Sequence, residues 1–359
     1  MEKPIISVIM GVYNQWDENI LKRAVHSILN QSFREFEFII WDDGSHPDAA
    51  KVVRSLSDMD SRIVIAGKEE NRGLAYSLNA CIGLARGRYI ARMDADDISL
   101  PERLRVQFEY LEAHPEYAWC GCNAELFDTD GIWGVRKMPE NPGEHDYLRY
   151  SPFVHPTVMF RSAIFDANEG YLESEETLRC EDYEIFMRLK KAGLKGYNIQ
   201  ESLFCYREDM ASYRRRKLHF RINEAKIRYR NFKEMNILFP LGWLYCLRPI
   251  AGGLLPPRVI AFLKRSEGAK AKRYTLSDEV RLSRRDMHCG VPCGYTLSDE
   301  VRLSHKGKHY GMPCGYERKE LAEVTWGGRT EKETRRIPEY TKSKPGLLSG
   351  IAEMPDTAG

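Results

Sequence analysis

Residues Ile5 to Asn14 read Ile-Ile-Ser-Val-Ile-Met-Gly-Val-Tyr-Asn. The first six are apolar and β-branched apart from one serine and one methionine. Such an uninterrupted run predicts a strand covered on both faces, and the Gly-Val-Tyr-Asn that follows reads as a turn. Outward from it, Ile20, Leu21, Ala24, Val25 and Ile28 recur at helical spacing. The alternation then repeats. Phe36–Trp41 is strand-like and is followed by a helix through Ala49, Val52, Val53 and Leu56. Arg62–Gly67 is strand-like and is followed by a helix from Leu74 to Ala85, and Arg88–Met93 is a fourth strand. Strands alternating with helices predict an α/β fold, a mostly parallel sheet with helices on both faces. Beyond Pro101 the pattern gives a helix through Leu104, Phe108 and Leu111, then mixed strand and loop from Tyr117 to Phe165. A helix containing EDYEIFMRLKKAG ends at Gly193, and another runs from Ser212 to Met235.

The chain has 359 residues and a formal charge of +2, with 43% hydrophobic residues. That balance excludes a disordered acidic chain and a histone-like polycation, and with them bulk nucleic-acid binding. The charge is unevenly spread, however: Tyr206 to Met235 holds ten Lys/Arg against four Asp/Glu. Nine cysteines, an odd number, fit a reduced cytoplasmic setting better than a disulfide framework. The N-terminal residues lack the pattern of a secretory signal. The apolar zone Ile237 to Leu263 contains Arg248, Arg258 and four prolines, which argues against a straight membrane-spanning helix.

In open α/β sheets, ligands bind beyond the carboxyl ends of the strands. Here those ends carry Gly11-Val12-Tyr13-Asn14, Asp42-Asp43-Gly44-Ser45, Asn71-Arg72-Gly73 and Asp94-Ala95-Asp96-Asp97. Any one of these reads equally as a turn or a helix cap, and Asp97 reads as a cap for the helix beginning near Pro101. Four at one sheet edge point to a site. Three carboxylates within four residues repel one another unless a cation or strong donors compensate, and hard oxygen ligands suit Mg²⁺ or Mn²⁺ bridging to phosphate. Arg72 is a candidate partner for that phosphate charge.

The ordered set VIMGVYN, WDDGS, ENRGLAYSLN, RYIARMDADDISLPERL, HPTVMF and CEDYEIFMRL resembles the family 2 glycosyltransferases of GT-A fold, in particular bacterial enzymes of capsule, exopolysaccharide and O-antigen synthesis. The resemblance spans Ile5 to Leu263. It implies a metal-dependent, inverting transfer from a UDP- or GDP-sugar to a hydroxyl acceptor, such as a lipid-linked saccharide. By motif position it implies that Val12, Tyr13 and Asn14 line the nucleotide pocket. Asp42, with Asp43 alongside, would recognise base or ribose, and Arg72 would also face the nucleotide. Asp94 and Asp96 would form the DXD motif, with Asp96 the main metal ligand. Asp182 would be the catalytic base and Glu181 its partner; read alone, these two residues serve equally as an acidic first turn complementing a helix dipole. The family often closes a cationic segment over the diphosphate, here Tyr206–Arg215, with Arg207, Arg214 or Arg215 supplying the charge.

His155-Pro156-Thr157 begins a strand near the acceptor side, with His155 either packing or touching substrate. The basic helix beside the apolar Ile237–Leu263 zone suits peripheral attachment to the anionic inner face of the cytoplasmic membrane; the alternative is that Trp243, Leu244, Leu254 and Leu255 pack on the catalytic domain. The organisation expected is a catalytic domain over 1–235, a membrane-proximal extension over 236–265 and a tail over 266–359. That tail contains a direct 21-residue repeat, 274–294 and 295–315, identical at 15 positions. Two copies are too few for a solenoid, and His288, Cys293, His309 and Cys314 have poor spacing for zinc, so the tail reads as a weakly ordered appendage. The rivals to a transferase are a catalytically silent nucleotide-sugar-binding or scaffold protein and a sugar nucleotidyltransferase. The latter would call for a Gly-rich phosphate loop that Gly11–Asp17 does not form.

Overall fold

The computed structural model describes residues 3–209, 217–256, 258–260, 262 and 265. Its first half follows the predicted alternation: β1 (Ile6–Val12), α1 (Glu18–Leu29), β2 (Phe36–Asp43), α2 (Pro47–Ser55), β3 (Ile63–Lys68), α3 (Leu74–Leu84) and β4 (Tyr89–Arg92). Local chemistry sets the helix starts. Asp17 caps α1 by accepting hydrogen bonds from the Asn19 and Ile20 amides at 3.0 and 3.2 Å. Pro47 opens α2, where its missing N–H costs nothing. Gly73, at φ +91°, turns the chain into α3.

The second half adds β5 (Ile98–Ser99), α4 (Arg103–Ala113), β6 (Trp119–Asp128), β7 (Gly131–Arg136), β8 (Met159–Arg161), α5 (Ile164–Ala167), α6 (Glu181–Lys191), β9 (Gly196–Arg207), α7 (Leu218–Glu234) and α8 (Gly242–Gly253). His155–Thr157, expected to begin a strand, is instead a 3₁₀ turn, and the strand follows at Met159. The Thr157 side chain explains this. Its hydroxyl donates to the Val154 carbonyl at 2.7 Å and ties the backbone into a turn.

Among the described residues the strands form one sheet in the order β3-β2-β1-β4-β8-β6-β9-β5, with β7 paired to β6. β3, β2, β1 and β4 are parallel, whereas β8 runs antiparallel to both β4 and β6. The strand order reverses at β1, which leaves a crevice at the carboxyl ends of β1 and β4. Side-chain alternation feeds two apolar layers. Val8, Met10, Phe38 and Ile40 pack with Leu21, Val25 and Val53 of α1 and α2 and with Leu104 and Leu111 of α4. Ile9, Ile39 and Ile90 pack with Leu78 of α3, Phe186 of α6 and Ile227 and Phe232 of α7. Helices thus cover both faces, as the uninterrupted apolar strands require.

Candidate functional site

The turns after β1 and β2 hold each other. Asn14, at φ +47°, donates its amide to Ser45 Oγ at 2.9 Å, and its Oδ1 accepts the His46 amide at 2.7 Å. Asp42 Oδ1 accepts the Ser45 amide at 3.0 Å, so Asp42 and Asn14 are joined through one serine. Tyr13 lies exposed at the rim. Val12, by contrast, is buried, and only its backbone is available to line a pocket.

Asp43 has a different task from Asp42. Strand alternation sends it to the α3 face, where it is buried and accepts three hydrogen bonds: from Asn71 Nδ2 at 2.8 Å, the Arg72 amide at 3.0 Å and the Gly73 amide at 2.7 Å. Its carboxylate is therefore taken up in fixing the Asn71-Arg72-Gly73 turn, rather than lying alongside Asp42 as the sequence suggested. Arg72 leaves that turn stacked on Tyr76, 3.9 Å from the ring centroid, with Nη2 3.6 Å from Glu173. It lines a cleft of about 490 Å³ together with Gly73, Leu74, Thr177, Leu178 and Glu181.

At the end of β4 the carboxylates of Asp94, Asp96 and Asp97 bring oxygens within 4.8 Å of one another. Asp97 is buried. Its Oδ1 accepts the Arg207 amide at 2.7 Å, while Oδ2 has no hydrogen-bond partner among the described residues. Burial, then the neighbouring Asp96 and Asp94 charges, push the Asp97 carboxyl well above the ordinary range. Asp97 does not cap α4, whose preceding residue is Glu102. Three crowded carboxylates, one with an orphaned buried oxygen, fit a hard divalent cation as oxygen ligands.

Arg92 answers part of this negative charge. It is wholly buried, on the same face of β4 as Ile90, and its Nη1 lies 2.5 Å from Asp94 Oδ2. Sequence reasoning missed it because Arg88–Met93 read as an ordinary strand; the signal was an arginine inside an otherwise apolar run. His155 lies in the same layer. It is buried, with Nε2 2.7 Å from the Tyr171 hydroxyl, and its ring packs on Tyr171 and Phe186. Burial and the Arg92 charge hold its pKa well below the usual histidine range, so it is a neutral packing residue.

Asp182 lies in the first turn of α6, which the preceding Cys180 leaves without a side-chain cap. Burial, then the Glu181 charge, raise its pKa from 3.8 to about 7. Glu181 is itself raised by burial, and its Oε2 is buried without a hydrogen-bond partner among the described residues. Arg92 lowers both, so one buried cation lies within electrostatic reach of the Asp94 cluster and the Glu181-Asp182 pair. Arg207 turns its side chain to Asp209 at 3.1 Å, while Arg214 and Arg215 lie outside the described residues.

Residues 7–168 match the family model for glycosyl transferase family 2. The putative glycosyltransferase EpsE of Bacillus subtilis is 34% identical over 259 residues, covering 72% of this chain and 92% of that protein. The amylovoran biosynthesis glycosyltransferase AmsE of Erwinia amylovora is 29% identical over 263 residues, covering 72% and 97%. The crystal structure of S. aureus TarS 1–349 in complex with UDP aligns at a TM-score of 0.50 with 18% identity, over 69% of this chain and 70% of that one, a likeness of fold. The fold is GT-A.

Proposed function

Because the chain belongs to glycosyl transferase family 2, we propose that it transfers a sugar, with inversion, from a UDP- or GDP-sugar to a hydroxyl of a lipid-linked saccharide in cell-surface polysaccharide synthesis. One observation carries the reading: a convergent Asp94-Asp96-Asp97 cluster shares the charge of one buried arginine with a carboxyl, Asp182, whose pKa is raised to about 7.

In this reading the tied turns of Tyr13, Asn14 and Asp42 receive base and ribose, with the backbone of Val12 beneath them. Arg72 faces the nucleotide from the turn that Asp43 holds. Asp94 and Asp96, with Asp97 below, would hold Mg²⁺ or Mn²⁺, which when bound supplies positive charge for the departing diphosphate. Asp182 does the proton work. An acceptor hydroxyl is a weak nucleophile, so Asp182 takes its proton as the oxygen bonds to the anomeric carbon and the bond to the diphosphate breaks on the opposite face. A base with a pKa near 7 is about half ionised at neutral pH and basic enough to help. Arg214, or another cation of the same segment, would cover the diphosphate.

The test is a screen of UDP- and GDP-sugars with Mg²⁺ or Mn²⁺ and a lipid-linked acceptor, with the product anomer read by NMR. An inverted linkage is expected; a retained one contradicts the mechanism, and no transfer from any donor contradicts the function.

A further inference from the structure

α8 is apolar on two sides. Gly242, Cys246 and Pro249 form its buried stripe, at the i, i+4, i+7 spacing that faces a core. Leu244, Leu247, Ala251 and Leu254 form a second stripe at i, i+3, i+7 and i+10, and all four are exposed. Arg248 is the only charged residue in the helix. Phe239 and Leu241 in the preceding loop are 76% and 59% exposed, and Phe262 beyond the helix is 73% exposed. A helix apolar all round is stable only when something covers its second face, and large exposed apolar side chains this dense mark an interaction surface.

The rim of this surface is cationic. An open cleft of about 900 Å³ between α7 and α8 is lined by Lys226, Arg230 and Lys233, at i, i+4 and i+7 on one face of α7, and by Tyr229, Leu247 and Ile250. Arg230 pairs with Glu176 at 3.1 Å, and the Glu234 of the same cleft pairs with Lys191. Lys226 and Lys233 have no ion-pair partner among the described residues. α7 also touches the loop leading into Asp182, through Arg230 to Glu176 and Asn223 Nδ2 to the Glu175 carbonyl at 3.2 Å.

We propose that the α7–α8 hairpin docks on a bilayer containing anionic phospholipid, the Leu244-Leu247-Leu254 stripe entering the headgroup–acyl boundary while Lys226 and Lys233 hold lipid phosphates. The proposal deepens the lipid-linked acceptor reading and rests on it for its biological meaning; the binding itself is tested apart from it. Twelve residues of helix span about 18 Å against a hydrocarbon core of about 30 Å, so α8 lies on the membrane. Indeed, no helix among the described residues is long and apolar enough to cross one. An apolar stripe edged by lysines and aromatic rings is the composition that interfacial helices use. A second copy is a poorer occupant, since a two-fold contact across this face would set one cationic rim against another. Trp243, Leu244, Leu254 and Leu255, the residues of the alternative in which this zone packs on the catalytic domain, are all exposed, Leu254 most at 71%.

The experiment is co-sedimentation of the full chain with vesicles of phosphatidylcholine alone or mixed with phosphatidylglycerol. Binding to the mixed vesicles, weakened by salt and at least about tenfold weaker to phosphatidylcholine alone, is expected. Leu247→Glu/Leu254→Glu and Lys226→Glu/Lys233→Glu should each lose at least about tenfold in vesicle partition with unchanged thermal melting. No binding to either vesicle, or wild-type binding by both variants, overturns the proposal. So does a concentration-dependent dimer that Leu247→Glu dissociates in place of vesicle binding. Vesicle binding without sugar transfer would fail the enzymatic reading alone; transfer without vesicle binding would fail this one alone.

Discussion

The guanidinium of Arg92 lies 2.5 Å from the carboxylate of Asp94, and the arginine is wholly buried. This pair joins the cluster at the end of β4 to the layer beneath α6. Arg92 is buried but Asp94 is 30% exposed, so Arg92→Met leaves a crowded, partly solvated carboxylate without its cation and should cost about 1–3 kcal/mol, measured by chemical denaturation. Lysine should not restore full stability, because a point charge cannot reproduce the planar fork. Stability unchanged in Arg92→Met would show that the pair is not needed to hold the strand end.

Asp43 offers a contrast, since among the described residues it meets three donors and no cation. Asp43→Ala would strand the amides of Arg72 and Gly73 and the side chain of Asn71, at roughly 1–3 kcal/mol for each donor that water cannot reach. Because those donors define the turn before α3, nucleoside diphosphate binding should weaken by at least about tenfold, as read by titration calorimetry. Wild-type affinity would mean that the turn forms without its clamp.

The rate should depend on pH through Asp182. Its pKa is raised to about 7 by burial and by Glu181, and a base must be ionised to act, so kcat/KM should fall tenfold per unit below about pH 7 and level off above it. The sign for stability is opposite. Folding favours the protonated form of a group whose pKa is raised from 3.8, so this group's contribution declines as pH climbs from about 4 to about 7, and Asp182→Asn should remove that decline. His155 is held neutral, so His155→Gln should leave the acidic limb of the rate profile in place. Loss of the limb in that variant would assign it to the histidine.

Much of this was legible because the parallel core is built from uninterrupted apolar runs, and a strand buried on both faces can be written in few other ways. The clusters after β1, β2 and β4 were legible for a related reason: the strand ends are fixed by the pattern, so their polar residues must meet at one edge. What escaped depended on direction. Asp42 and Asp43 are indistinguishable as letters, yet alternation turns Asp43 inward onto the α3 amides while Asp42 stays with Ser45. Arg92 escaped because its surroundings, Asp94, His155 and Tyr171, come from separate segments that only the sheet assembles. The turn at His155 was set by a single Thr157 hydroxyl bond that no periodicity records.

The central claim is that Asp182 removes the acceptor proton while the Asp94-Asp96 edge binds the nucleotide. It is tested most directly by comparing the wild-type chain with Asp182→Asn for nucleoside diphosphate binding with Mn²⁺ and for sugar transfer. Retained binding with transfer reduced by about 10²–10⁴-fold is the predicted result. Undiminished transfer by Asp182→Asn would contradict it.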